Sequence, residues 1–220
     1  EKIVYLKNCY QPNMNKREIS TKIFSRDEFG LPKNDFVFCN FNSNYKITPD
    51  IFNLWINILK KVSNSVIWIL ASNSSVSENL KSEAKKRGVS ENRIIFAKKL
   101  PINEHLKRIE LADLFLDTFP YGAHTTASDA IRMGLPVITM IGESFCSRVA
   151  ASILDRVSLN ELIVKNKEDY MNLAINLANN KPKLKKIKND LISLAKTSSL
   201  YDSKKFTKNL EDTYIKLLNR

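Results

Sequence analysis

The 220 residues, 43% of them apolar, are enough to bury one core, or one core plus an appendage. No run approaches the roughly 18 consecutive apolar residues of a membrane span, so no membrane partner is expected. The formal charge of +12 invites a nucleic-acid reading, but eleven Lys and Arg against four Asp and Glu fall in residues 181–220. There they space out along helical segments without interleaved aromatics, the pattern of a solvated face rather than a stacking platform.

In chain order, residues 1–35, with YQPN, KREIS and GLPKN, read as a short strand and an irregular connection, a linker into the domain that begins near residue 36. FVFCNF (36–41) has the continuous apolar character of a buried strand. In DIFNLWINILKKV (50–62), Ile51, Leu54, Trp55, Ile58 and Leu59 then repeat at helical spacing. VIWIL (66–70) is the second strand, and the polar helix SENLKSEAKKRG ends at Gly88 as its C-cap. RIIFA (93–97) is the third strand, with a helix over about 103–112. DLFLDT (113–118) is the fourth, leading through PYGAHTTASDA into a helix over about 126–133 that stops at Gly134-Leu-Pro136. PVITMI (136–141) is the fifth strand, followed by a helix near 145–155. Beyond it come only helices, near 167–179, 182–197 and 203–218.

Five buried strands, each followed by a helix, predict a doubly wound parallel α/β sheet. Residues 36–165 are expected to form that Rossmann-like domain, and residues 166–220 C-terminal helices packed on it. The odd, scattered cysteines Cys9, Cys39 and Cys146 lack CxxC zinc spacing and disulfide density, which predicts buried thiols and a reducing, cytoplasmic compartment. The opening EKIVYLKNCYQPN holds no long apolar block and no small-residue cleavage site. A start at Glu rather than Met predicts a piece of something longer.

In such sheets ligands bind beyond the carboxyl ends of the strands, where three polar loops gather, after strands one, three and four. The chain has no GxGxxG, no GxxxxGK[ST], no GxSxG, no Asp-x-Asp and no His pair at ligand spacing; no metal is expected. Thr125 and Thr126 fall where the strand-four loop enters a helix, whose free amides and dipole attract an anion. Gly122 allows close backbone approach, and Asp129 lies one turn in, able to accept from sugar hydroxyls. Lys46, after strand one, is a cation at the same edge, and His105 and Arg108 share a helix face beside the third loop. Each has a plainer reading: Thr125 as an N-cap worth about 1 kcal/mol, Lys46 as a solvated lysine, His105 as a structural histidine.

Three stretches carry a resemblance: FCNFNSNYKITPDIFNLWINILKKVSNSVIWIL, RIIFAKKLPINEHLKRIELADLFLDTFPYGAHTTASDAIRMGLPVIT and GESFCSRVAAS, with YLKNCYQPN before them and SLYDSKKFTKNLEDTY after. Together they resemble the catalytic region of the O-linked N-acetylglucosamine transferase and SPINDLY-like family, particularly its bacterial, tetratricopeptide-associated members. The resemblance implies the C-terminal, donor-binding lobe of a glycosyltransferase B fold. It also implies metal-free, inverting transfer of a sugar from a UDP-linked donor, by default UDP-N-acetylglucosamine, to Ser or Thr of proteins. No cofactor is implied beyond that donor. The acceptor would be met by a missing N-terminal lobe and tetratricopeptide repeats, and the fragment alone would be inactive.

By motif position, Lys46 matches the essential lysine on the diphosphate, and His124, Thr125 and Thr126 match the pyrophosphate-binding triplet. Asp129 matches the ribose-binding acid, and His105 and Arg108 match residues around the nucleobase. Two positions depart from the animal members: Ile102 stands for a ribose-binding lysine and Ser43 for a glutamine. The alternative reading is a non-catalytic interaction module derived from such a lobe.

Overall fold

Short, continuously apolar runs can be buried on both sides only in a sheet covered on both faces. Here they form six parallel strands in a computed structural model that describes residues 3–219. Glu1 and Lys2 of the expected 1–35 segment, and Arg220 of the 166–220 helices, lie outside the described residues. In chain order the elements are β1 (Phe36–Asn40), α1 (Pro49–Lys61), β2 (Ser65–Leu70), α2 (Ser74–Lys86), β3 (Ile94–Ala97), α3 (Ile102–Ile109) and β4 (Leu114–Leu116). They continue with α4 (Thr125–Arg132), β5 (Val137–Met140), α5 (Phe145–Arg156), β6 (Ile163–Val164), α6 (Lys167–Asn179), α7 (Lys181–Thr197) and α8 (Ser203–Leu218). The sheet order is β3-β2-β1-β4-β5-β6, which is Rossmann-like and doubly wound.

Helix starts follow from local chemistry. The Thr48 hydroxyl accepts the Ile51 amide and Pro49 fills the first turn of α1, whose apolar positions then bury Ile51, Leu54, Trp55, Ile58 and Leu59. At the far end of α4, Gly134 takes a left-handed φ of 73°, and the Leu135 amide closes back on Ala130 O at 2.9 Å. One core runs from Cys9 to Tyr201, with Trp55, Trp68, Tyr170, Phe38 and Phe115 among its largest buried side chains. Within residues 166–220, α6 packs on α1 and β5, and α7 packs on α4. Lys181, Lys183, Lys185 and Lys186 of α7 face outward while Leu184, Ile187 and Leu191 face in. Cys9 and Cys39 are buried free thiols, and Cys146 is half-buried. None of the described helices is long and apolar enough to cross a membrane.

Two expectations need correction. Ile163–Val164 pairs with Thr139 and Met140 as a sixth strand; two residues show no period and gave no signal. The short strand expected in residues 1–35 is not found among residues 3–35, which are irregular apart from a 3-10 turn at Asp27–Phe29. The segment spends its polar groups on α4 instead of on a sheet edge: Asn13 Oδ1 accepts from Ser128 Oγ at 2.7 Å, and the Arg132 guanidinium donates to Met14 O.

The strand order reverses between β1 and β4, since β2 and β3 lie on one side of β1 and β4, β5 and β6 on the other. The crevice at such a reversal lies beyond the carboxyl ends of those two strands. The loops carrying Lys46 and His124 meet there.

Candidate functional site

Buried polar side chains must find partners, and at the ends of β1 and β4 they find one another. Asn40 Nδ2 donates to Leu116 O at 2.6 Å. Asn42 Nδ2 donates to Asp117 Oδ1 at 3.1 Å and to Thr118 Oγ1 at 2.8 Å, and Asn42 Oδ1 accepts from the Thr126 hydroxyl. Asn42 thus ties the β1 loop to the β4 loop and to α4. Asp117, only 1% exposed, also accepts from the amides of Thr118 and Ala123 at 2.7 Å each and from Thr139 Oγ1 at 2.8 Å. Burial pushes its carboxyl up to about 6, with these hydrogen bonds opposing the rise.

On this frame the first positive feature is Lys46, the last residue of the 3-10 turn Asn44–Lys46. Its Nζ donates to Gly122 O at 2.9 Å and lies 3.9 Å from the centre of the Tyr121 ring. Half-burial draws the ammonium below the ordinary lysine value, and Asp117 works against that. Gly122 is tightly packed: a Cβ would sit 3.0 Å from Asp117 Oδ2 and 3.3 Å from Cys146 O, so these neighbours would have to shift by a few tenths of an ångström to admit one.

The second is the N-terminus of α4. His124 is its N-cap residue and makes no side-chain cap, so Thr125 stands inside the helix and is not the N-cap of the plainer reading. The first-turn amides therefore point outward without a side-chain acceptor. Thr125 is exposed at this end, whereas the Thr126 hydroxyl is spent on Asn42. His124 Nδ1 lies 3.1 Å from the Tyr10 hydroxyl. Burial and then Lys46 draw the His124 imidazole down.

The remaining candidates sit beside these. His105 Nδ1 accepts from Arg108 Nε at 3.0 Å, which leaves its proton on Nε2. Burial, then the charges of Arg108 and Arg17, lower the ring to about 4, so it is neutral at pH 7. Arg108 is 1% exposed; it donates to Lys98 O at 2.5 Å and packs near the Phe41 and Trp68 rings, so its guanidinium does not reach the crevice. Asp129 is nearly buried and engaged by Arg17 through its Oδ1. Ile102 is an exposed apolar side chain at the start of α3, and Ser43 precedes the 3-10 turn.

The structure therefore brings Lys46, His124 and Thr125 to one edge, sets Asp129 and His105 beside it, and puts Thr126 and Arg108 behind them as supports. Reading the sequence missed Asn42, Asp117, Tyr10 and Arg17. The polar end of DLFLDT was the one available signal for Asp117; Arg17 carries none, since its partner lies 112 positions away.

Known proteins with similar sequences and folds point the same way. Residues 9–210 match the sequence family described as glycosyl transferase family 41. The whole chain is 37% identical to the probable UDP-N-acetylglucosamine–peptide N-acetylglucosaminyltransferase SEC of Arabidopsis thaliana, of which it covers 23%. Over 88% of its length it is 35% identical to the UDP-N-acetylglucosamine–peptide N-acetylglucosaminyltransferase of Caenorhabditis elegans, covering 17% of that protein. The chain thus spans less than a quarter of the length of these relatives. Among solved structures, a mutant Thermobaculum terrenum O-GlcNAc transferase superposes with a TM-score of 0.80 at 26% identity, over 97% of this chain and 40% of that one. Anabaena HepE, in complex with UDP and glucose, shares the fold at a TM-score of 0.62 and 14% identity, over 87% of this chain and 51% of that one.

Proposed function

The chain belongs to glycosyl transferase family 41, and from that premise we propose that it is the donor-binding lobe of an inverting, metal-independent protein O-glycosyltransferase. The donor is a UDP-linked sugar, N-acetylglucosamine by default, and the acceptor a Ser or Thr hydroxyl of a protein. Residues 1–35 lead in from an N-terminal lobe that, with helical repeats, presents the acceptor; the fragment alone turns nothing over. The observation that carries this reading is the meeting of Lys46 with the uncapped N-terminus of α4 across Gly122.

Those two features suit one diphosphate. Lys46 exchanges the Gly122 carbonyl for a phosphate oxygen, and the first-turn amides of α4 donate to the same group. The acceptor oxygen bonds to the anomeric carbon from the face opposite the diphosphate. The bond from that carbon to the β-phosphate oxygen breaks, and its electron pair leaves on UDP. The hydroxyl proton passes to a base on the N-terminal lobe. Charge growing on the leaving group strengthens the Lys46 contact in the transition state, which is how fixed positive groups accelerate a reaction. The sequence offers no Asp-x-Asp for a cation, and these groups take over a cation's role. Neutral His105 donates from Nε2 to the nucleobase, and Asp129 accepts from the ribose.

Lys46→Met in the full-length protein tests the assignment. Turnover is expected to fall by roughly 100-fold or more, with UDP affinity changed far less. Turnover near that of the wild type would remove Lys46 from the mechanism.

A further inference from the structure

Residues 10–17 lie outside the parallel sheet, yet they form one side of a cavity of about 330 Å³ whose other side is α4, with His124, Thr125, Ser128 and Asp129. Arg17 reaches across this cavity to Asp129 Oδ1, with about a quarter of its side chain exposed. Taking the donor-site reading as its basis, we propose that Arg17 is a donor-positioning residue: it fixes the Asp129 carboxylate for the ribose and makes the N-terminal segment one wall of the nucleotide site.

The chemistry behind this is a nearly buried carboxylate. An isolated carboxylate out of water favours its protonated form, and a guanidinium bonded to it favours the ionised, acceptor-only form. Burial raises Asp129, and Arg17 and then Arg132 oppose it. Arg132 sits on α4 itself with its guanidinium 4.0 Å from the centre of the Tyr201 ring, and donates to Met14 O. Tyr201, whose hydroxyl burial pushes up further from its ordinary value, is protonated at neutral pH and donates to Ser128 O at 2.7 Å. Arg17 is therefore the one cation bonded to Asp129 among the described residues. It binds Oδ1 alone, which leaves Oδ2 to accept a ribose hydroxyl. The Arg17 charge also reaches His105, on the helix next to α4, and helps keep that ring neutral. One side chain thus bears on both groups assigned to the nucleoside, opposing the effect of burial on Asp129 and adding to that of burial and Arg108 on His105.

The experiment is calorimetric titration of the full-length protein with UDP at pH 7.5 and pH 5.5, for wild type, Arg17→Gln, Arg17→Lys and Arg17→Gln combined with Asp129→Asn. Near-ultraviolet circular dichroism confirms that each variant is folded. Arg17→Gln is expected to weaken UDP about tenfold at pH 7.5 and further at pH 5.5, as Asp129 takes up a proton. Both losses are read relative to wild type at the same pH, which cancels the protonation of the terminal phosphate of UDP itself, and Arg17→Lys recovers most of them. In the Asp129→Asn background, Arg17→Gln adds little and the extra loss at pH 5.5 disappears. Arg17→Gln binding UDP as tightly as wild type, or more tightly, would overturn the role of Arg17 while leaving the donor site standing. Wild type that binds no UDP would instead overturn the donor-site reading, and this role with it.

Discussion

Replacing Asp117 by Asn leaves the shape of the loop beyond β4 in place and removes one buried charge. The Asn carbonyl can still accept from the amides of Thr118 and Ala123, and its NH2 can donate to Thr139 Oγ1, which now donates to Oδ2. The carboxyl titrates at about 6 in the fold against 3.8 as the reference. Between those values the native state holds the proton more tightly than the unfolded chain. The stabilising contribution is thus fully present below pH 3.8 and is lost as pH rises through about 6. At about 1.4 kcal/mol per tenfold, the whole gap is on the order of 3 kcal/mol, and roughly 2 kcal/mol of it falls between pH 4.5 and 7.5. Urea unfolding of both proteins across that range, followed by the fluorescence of buried Trp55 and Trp68, isolates the term as a difference. The unfolding free energy of wild type minus that of Asp117→Asn is expected to fall by about 2 kcal/mol as pH rises from 4.5 to 7.5, levelling off near pH 7. A flat difference, or one that rises with pH, would mean that the hydrogen bonds to Asp117 outweigh its burial and would refute the raised carboxyl.

Gly122→Ala places a methyl group against Asp117 and the Cys146 carbonyl; a stability loss of about 1–3 kcal/mol and weaker UDP binding are expected, and an unchanged melting temperature would show that the loop yields freely. Arg108→Met frees His105 Nδ1, so the ring is expected to titrate above its present value of about 4 yet below 6.5, because burial is the larger cause. An NMR titration of the imidazole C–H shifts reads this directly, and a value still at about 4 would leave the depression to burial and Arg17, with no part for Arg108.

The fold was legible wherever a run was long enough to show a period. α1 announced itself through Ile51, Leu54, Trp55, Ile58 and Leu59, and β2 through VIWIL, because burial on one helical face or on both faces of a strand leaves its mark within a few residues. Ile163–Val164 is too short for that, and its pairing with Thr139 and Met140 is set by the docking of α5 and α6 on β5 rather than by local propensity. The site was legible as far as it sits on loops that follow strands: Lys46 and the His124–Thr125 helix entry were placed by the rule for parallel sheets and by family resemblance. What escaped was whatever depends on contacts distant in sequence. Thr126 looks like a second hydroxyl for an anion until Asn42, 84 positions away, takes it. Asp129 looks like a free acid until Arg17 reaches it. Arg108 and His105 read as two equal neighbours on a helix, although Arg108 is buried and His105 keeps part of its surface exposed.

The most direct measurement is a titration of the full-length protein with UDP and with GDP at moderate salt, read by calorimetry and by the amide resonances of Thr125 and Thr126. A donor lobe built around Lys46 and the N-terminus of α4 is expected to bind UDP saturably, to shift those two amides, and to favour UDP over GDP. Failure of both nucleotides to bind at roughly 1 mM, a free energy weaker than about −4 kcal/mol, would contradict the existence of a donor site here.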